Sequence, residues 1–515
     1  MKKELKIIIV ISILLVSASI YFGILSKHKY ENLIIDDTKW IDIINKREYK
    51  DSLLISDLKF NNYELFYDID TSTYYYSIMK DYKYAYKPYI KYKSIDSIAF
   101  IGFDKEITPD LIKNNETIRM IIYNNSYYNI IKIKCTTLSL MNIDTKGVVD
   151  SEKYTLSSIK FLDNTKGEVE SLKANIKYRG AASLSFPKKG YRISLRDGLD
   201  KINYSFLGLR KDDDWVLYAA YNDQEKIRNV FSSKLWNECC SNYTNGTEYK
   251  YIELFINGKY QGLYALGYPI DEKSVDVSFD DYMYKKKTWE SNDKDIPHAK
   301  SVDSTGLELI NDSDPTKAFE AIKTYYKVLL GNDTLKMHDY INTLNAVDIY
   351  MFYNLVQGID NVNEYKTKNT YITIKDGKII YTPWDLDYTF GNSYQLNSPT
   401  LTKPYGLNYD FNVIMKANLA YRIKRMGDNS LDEIMSKRYS DLRKTYWSDS
   451  NVIKLIDEYE EDIFSSGAFL RDKEKWPEGN YINVNLKLSR FKSYVIERLS
   501  YMDKYMNKYV GYEIK

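Results

Sequence analysis

The hydrophobic pattern changes period along this chain, and that change sets its fold class. In the first part, short apolar runs such as Ser97-Ile98-Ala99-Phe100-Ile101 and Ile118-Arg119-Met120-Ile121-Ile122 alternate with Asn, Asp and Ser turns, as short strands do. Strand-like alternation continues from Ile130 to Leu195. A first helix is expected from Asp223 to Cys239, where Ile227, Val230, Phe231 and Leu235 recur at helical spacing. Further helices are expected at Thr316 to Leu330, Met337 to Val356, Leu431 to Tyr446, Asn451 to Phe464 and Val484 to Tyr509. Two hairpins stand among them. One runs from Tyr251 to Leu266 around Asn257-Gly258, with Ile252, Leu254 and Ile256 on one face, and the other from Tyr371 to Tyr381 around Asp376-Gly377. The charge-rich stretch Lys273 to Thr305 reads as an excursion over the surface. The pattern predicts an α+β chain, strand-rich in its first half and helical in its second.

Three segments are expected. Residues 1–29 hold Lys2, Lys3 and Lys6, followed by a charge-free run of 19 residues from Ile7 to Leu25, about the ~20 needed to cross a bilayer as a helix. The run fits an uncleaved transmembrane anchor with its N-terminus in the cytoplasm; a signal peptide cut after Val16-Ser17-Ala18 is the rival. Either way the bulk of the chain lies outside the cytoplasmic membrane, as a single-pass protein or, once cleaved, a secreted or spore-associated one. Residues 30–130 read as a small β-rich domain and residues 131–515 as the larger α+β domain.

Composition narrows the chemistry. Lys and Arg number 73 against 71 Asp and Glu, a net charge of +2, so no global field draws nucleic acid. The 3 histidines, His28, His298 and His338, are scattered, and the 3 cysteines, Cys135, Cys239 and Cys240, show no ligand spacing. Histidine triads, multi-histidine metal sites, zinc sites and a disulfide framework are therefore excluded, which leaves carboxylates, lysines and backbone. The 52 tyrosines fit the codon bias of an A/T-rich genome, and only composition supports a sugar-stacking envelope protein.

Two stretches carry candidate chemistry. In Trp384-Asp385-Leu386-Asp387, two carboxylates stand one residue apart at a strand end, able to flank one hard cation. Asp360 and Asn369 precede them, and Phe390-Gly391 follows. An acceptor-side Asp, then a metal-binding Asn, a hairpin and a metal-binding Asp is a loosened form of the order in protein kinases. Upstream, Arg179-Gly180-Ala181-Ala182-Ser183 and Pro187-Lys188-Lys189-Gly190 combine small residues with cations, as a phosphate-contacting turn does. A basic β-turn is the plainer reading.

Taken together, four ordered blocks resemble the spore-coat protein H (CotH) kinase family. They are Arg179-Gly180 with Pro187 to Arg192; Asp214-Trp215-Val216-Leu217 with Asp223 and Arg228-Asn229; Asn257 to Tyr264; and Asp360, Asn369 and Pro383 to Asp387 with Phe390-Gly391. Weaker echoes follow in Arg438-Tyr439 and Asp472 to Trp476. The resemblance implies an atypical protein-kinase-like fold that transfers phosphate from ATP to Ser or Thr of a coat or envelope protein, with Mg2+ or Mn2+. It implies Asp360 as the catalytic residue orienting the acceptor hydroxyl, Asn369 and Asp385 as metal ligands, and Asp387 as support for the metal. Arg179 and Lys189, with Lys188 behind them, become nucleotide-binding residues. Asp223 and Arg228 are expected to orient the lysine or phosphates, with helix capping an equal reading for Asp223. Trp384 is expected to pack behind the metal loop rather than stack on the nucleotide. In one departure, Gly267-Tyr268 stands where the family has Thr-Glu, so Glu272 or Glu253 would have to replace that carboxylate. A decayed site on a kinase-shaped binding or structural protein is the alternative function.

Overall fold

The computed structural model describes residues 25–79, 86–239, 246–289, 293–363, 366–392, 422–424 and 426–510. The apolar run from Ile7 lies outside them up to its last residue. Among the described residues no helix is long and apolar enough to cross a membrane. Leu25–Lys29, at the end of the expected first segment, is a strand paired antiparallel with Tyr89–Ser94.

Two sheets around a main core, with a smaller apolar cluster at Ile35, Trp40, Ile43 and Ile121, make the N-terminal unit. One sheet runs Leu25–Lys29, Tyr89–Ser94, Ile55–Phe60, Tyr63–Glu64; the other joins Phe66–Asp68, Thr73–Ser77, Tyr127–Thr136, Ile118–Tyr123 and Phe100–Phe103. Between them lie Phe60, Tyr76, Ile90, Phe103, Met120 and Ile133. The strand Tyr127–Thr136 runs through the expected boundary at residue 130.

Seven strands then close into a barrel: β1 (Ser139–Thr145), β2 (Thr155–Asp163), β3 (Glu168–Arg179), β4 (Gly190–Asp197), β5 (Asp214–Tyr218), β6 (Tyr249–Ile256) and β7 (Lys259–Gly267). The order is β3-β2-β1-β6-β7-β5-β4, and it closes because β3 pairs with both β2 and β4. Only β1 and β6 pair in parallel among these contacts. Alternation puts Met141, Ile143, Ile159, Phe161, Ile193, Trp215, Leu254 and Leu266 inside, with Phe206 filling the interior. The β6–β7 turn at Asn257 (φ 51°) and Gly258 (φ 69°) is left-handed at both residues, the geometry that closes a tight hairpin.

The outer face of the barrel is also apolar. Tyr251, Leu263 and Ala265 there meet α1 (Arg228–Cys239) and the helical core. A second sheet, β9-β8-β10-β11, is built from β8 (Tyr282–Lys286), β9 (Leu307–Leu309), β10 (Thr370–Lys375) and β11 (Lys378–Pro383). The helical half holds α2 (Pro315–Leu329), α3 (Thr334–Asp339), α4 (Thr343–Val356), α5 (Ser430–Lys444), α6 (Asp449–Glu460), α7 (Ala468–Lys475) and α8 (Ser489–Val510). Every residue of α4 from Asn345 to Val356 is buried, so it forms the axis of the helical half. The chain is thus α+β, strands first and helices after.

Several boundaries move. The helix expected from Asp223 begins at Arg228, and the one expected from Met337 to Val356 breaks at Tyr340, where Ile341 leaves to bridge Ile379. Lys273 to Thr305 is not a surface excursion: it contributes β8, a central strand with Met283 and Lys286 fully buried. Lys286 can be buried because its ammonium donates to the Thr305 carbonyl and stands 3.9 Å from Asp293.

Candidate active site

The acidic residues gather where α4 ends and the β10–β11 hairpin returns. Gln357, at φ 54°, ends α4 with a left-handed cap, and the chain turns to Asp360. Asp360 is buried, and its carboxylate accepts from Asn369 Nδ2 at 3.0 Å, Lys368 Nζ at 3.0 and 3.1 Å and Trp289 Nε1 at 3.3 Å. Beside it the buried Asn361 amide donates to the Asn369 and Trp384 carbonyls at 3.2 and 2.7 Å. One side chain thereby ties the Asp360 turn to both ends of the hairpin.

After β11 the backbone bends sharply. Asp385 sits at φ 58° and Phe390 at φ 44°, left-handed conformations that cost a non-glycine residue of order 1 kcal/mol. The bend is held from α1, where Asn229 Oδ1 accepts the Leu386 N–H at 2.9 Å, and from α4, where the Val356 carbonyl accepts the Phe390 N–H at 2.6 Å. Buried Asp387 accepts from Asn222 Nδ2 at 2.9 Å. Burial first, then the Asp385 charge, with Asp360 and Asp223 adding, pushes Asp387 well above the usual carboxylate range. Asp385 is half-buried and makes no hydrogen bond or ion pair among the described residues.

Asp223 serves as a cap. Its carboxylate accepts the Arg228 backbone N–H at 2.7 Å at the start of α1 and also takes the Arg228 guanidinium. Arg228 bonds Glu225 as well, so its charge is taken up inside this turn. These residues hold α1, and α1 in turn holds the Leu386 N–H.

The expected phosphate-binding cations separate. Lys188 is fully buried and donates to Asp472 at 2.7 Å and to the Leu263 carbonyl at 2.6 Å. Lys189 Nζ donates to the Leu184 carbonyl at 2.6 Å. Arg179 reaches the carboxylate region, with its guanidinium 4.8 Å from the Trp384 ring centre. Trp384 is 4% exposed and edge-on to Tyr371, so it packs behind the loop. Gly180 follows at φ 133°, and a Cβ there would lie 2.0 Å from Ser183 Oγ, so this turn requires glycine.

Sequence reasoning missed Lys285, Lys368, Lys226 and the asparagines 222 and 361. Lys226 is buried with three backbone carbonyls as acceptors, those of Ala220, Tyr221 and Asn480, and burial pulls it down to about 7. Lys285, on β8, lies 5.6 Å from the Tyr371 ring and 5.9 Å from that of Trp384. Burial and Arg179 pull its ammonium down to about 8, against Asp385 and Glu308. The strand-favouring aromatic and apolar run Tyr282-Met283-Tyr284 just before it is the signal that could have placed Lys285 on a strand.

With this geometry in place, the family comparison becomes decisive. The family described as CotH kinase protein matches residues 176–502, well over half of the chain. The chain belongs to the CotH kinase family. No curated protein matches it. The CotH match opens inside β3, just before Arg179, and closes inside α8, so it takes in all the residues above. The departure from the CotH pattern at Gly267-Tyr268 falls on the barrel. Tyr268 lies in the barrel core, edge-on to Trp215 and 4.1 Å below the Arg210 guanidinium. Neither proposed substitute joins the acidic group: Glu253 is buried against Arg471 at 2.6 Å, and Glu272 is exposed on a short helix.

Among the described residues no group of three or more His, Cys, Asp or Glu is placed to hold a metal ion. The oxygen donors of Asn369, Asp385 and Asp387 nonetheless suit a hard cation that takes its other ligands from phosphate and water. Buried Asp387, two residues from Asp385 and with Asn222 donating to it, fits such a cation: burial first, and then the Asp385 charge, raises its proton affinity.

Proposed function

We propose that this CotH-family chain is a metal-dependent protein kinase that transfers the γ-phosphate of ATP to a Ser or Thr hydroxyl of a coat or envelope protein. Asp385 carries the reading, because a half-buried carboxylate at φ 58° without a partner, beside buried Asp387, is an arrangement a cation relieves. Asn369 and Asp385 would hold Mg2+ or Mn2+, with Asp387 behind them. The metal, once bound, supplies charge neutralisation to the phosphates. Asp360 orients the acceptor hydroxyl and takes its proton as the oxygen bonds the γ-phosphorus and the bond to the bridging oxygen breaks, releasing ADP. Lys368 and Asn369 hold the Asp360 carboxylate in place. Membrane anchoring or secretion through the N-terminal apolar run belongs to the same proposal.

A second reading, a kinase-shaped binding or structural protein at the cell or spore surface, is favoured by Tyr268 in place of the family glutamate. Labelled ATP separates the two. Full chain with Mg2+ or Mn2+ is expected to move γ-phosphate onto Ser/Thr-rich acceptor proteins, and Asp360→Ala is expected to abolish transfer while ATP binding persists. Absence of transfer by the unaltered chain with either metal, across such acceptors, would favour the binding protein.

A further inference from the structure

We propose that Lys285 and Arg179, set against the Trp384 ring, are the pair of cations that grips the nucleotide's phosphates, with Lys285 in the role the sequence suggested for Lys188 or Lys189. The inference rests on the kinase reading and adds a phosphate-binding residue that lies outside the four sequence blocks.

Most cations around the site already have acceptors. Lys188 donates to Asp472 and to a carbonyl, Lys189 to the Leu184 carbonyl, Lys226 to three carbonyls, and Lys368 to Asp360. Arg228 is bonded to Asp223 and Glu225. Arg179 and Lys285 differ. Both are half-buried, and neither has a hydrogen bond or ion pair among the described residues; their contacts are the aromatic rings. Two like charges brought together and partly desolvated without a hydrogen-bonding acceptor, offset only in part by the Asp385 and Glu308 charges, favour an anion bound beside them.

Position argues the same way. Lys285 is in register with Tyr371 across β8 and β10, so both side chains stand on one face of the second sheet. Arg179 ends β3 on the barrel side. Barrel and sheet therefore each deliver one cation to Trp384, the residue before Asp385. A polyphosphate bound here lies between this pair and the metal-binding carboxylates, its negative charge matched on both sides.

Calorimetric titration of the full chain with Mg2+ and each of ATP, inorganic tripolyphosphate and adenosine tests the assignment. Lys285→Met is expected to weaken ATP and tripolyphosphate by about tenfold or more, the loss of one charge-assisted contact, with adenosine unchanged. Lys285→Arg, which keeps the charge, is expected to recover most of the loss. Equal ATP affinity in the unaltered chain and a Lys285→Met variant of unchanged melting temperature would overturn the assignment. So would a loss that extends equally to adenosine or that Lys285→Arg fails to recover. An unaltered chain that binds none of the three ligands overturns the kinase reading itself, a result distinct from any effect of Lys285.

Discussion

Lys188 and Asp472 meet at 2.7 Å with both side chains withdrawn from solvent, and Tyr264 lies beneath the ammonium at 4.6 Å. Attraction in such a place does little more than offset desolvation, but removing one partner strands the other. Lys188→Met is therefore expected to cost about 3–5 kcal/mol in chemical denaturation, and Lys188→Met with Asp472→Leu to recover much of it. If Lys188 instead bound phosphate from a solvated position, its loss would leave stability nearly unchanged. Asp387 makes a residue-scale prediction in pH. Unfolded, it titrates near ~3.9, and folded it titrates well above that. Stability is thus fully present below the unfolded value and falls as pH rises through the window up to the folded one. A bound cation reverses the penalty. The rise in melting temperature produced by Mg2+ with ATP is expected to grow as pH rises above the unfolded value, and Asp387→Asn to raise the ligand-free melting temperature more at the high-pH end of that range than at the low. A metal effect that shrinks with rising pH would contradict this.

Elements were legible where one local rule sufficed. Asn257-Gly258 and Asp376-Gly377 mark two hairpins because left-handed turns favour those residues, and α5, α6 and α8 follow from long amphipathic stretches. Asp360, Asn369, Asp385 and Asp387 were legible as a group through their order along the chain, and the structure brings them near one another: Asn369 donates to Asp360, and the Asp385 and Asp360 charges both act on Asp387. What escaped depends on tertiary partners. Lys285-Lys286-Lys287 reads as a solvated run, yet Lys286 is buried through Thr305 and Asp293, and β8 becomes a central strand. Helix α7, with only 8 residues and five lysine, arginine or acidic positions in a row from Arg471 to Lys475, has a weak apolar face; its Arg471 and Asp472 are buried by Glu253 and Lys188. The start of α1 was misplaced because Asp223 caps across a five-residue turn rather than at the helix's first residue. That cap yields a prediction for the element. Asp223→Ala is expected to lower stability by about 1–3 kcal/mol, with Asp223→Asn recovering much of it because its amide oxygen still accepts the Arg228 N–H. Equal losses in the two variants would assign the effect to charge instead.

At the scale of the whole molecule, the N-terminal unit is bound into the barrel and α7. Arg471 bonds Glu253 on β6 and, from the same guanidinium, the Cys135 carbonyl and Asn115 of the N-terminal unit. Asn115 and Lys134 both reach Glu474, and Phe66 and Tyr75 share an apolar cluster with Leu140, Phe255 and Tyr260 of the barrel. This continuity predicts one cooperative unfolding transition. With Cys240→Ser, the buried thiols of Cys135 and Cys239 are expected to become reactive at the same denaturant midpoint, although they lie in different cores. Exposure of Cys135 at a clearly lower midpoint would show that the N-terminal unit unfolds alone. The same framework delivers the carboxylates from α4 and the hairpin, the cations from the barrel and second sheet, and α1 behind the loop. The central claim is that these groups form a working metal–nucleotide site, and the most direct test is the melting temperature of the full chain with ATP and Mg2+ or Mn2+, beside Asp385→Ala. The account predicts a metal-dependent rise that Asp385→Ala abolishes. No rise with either metal at millimolar ATP would contradict it and leave the chain a member of the CotH family without a functioning nucleotide site.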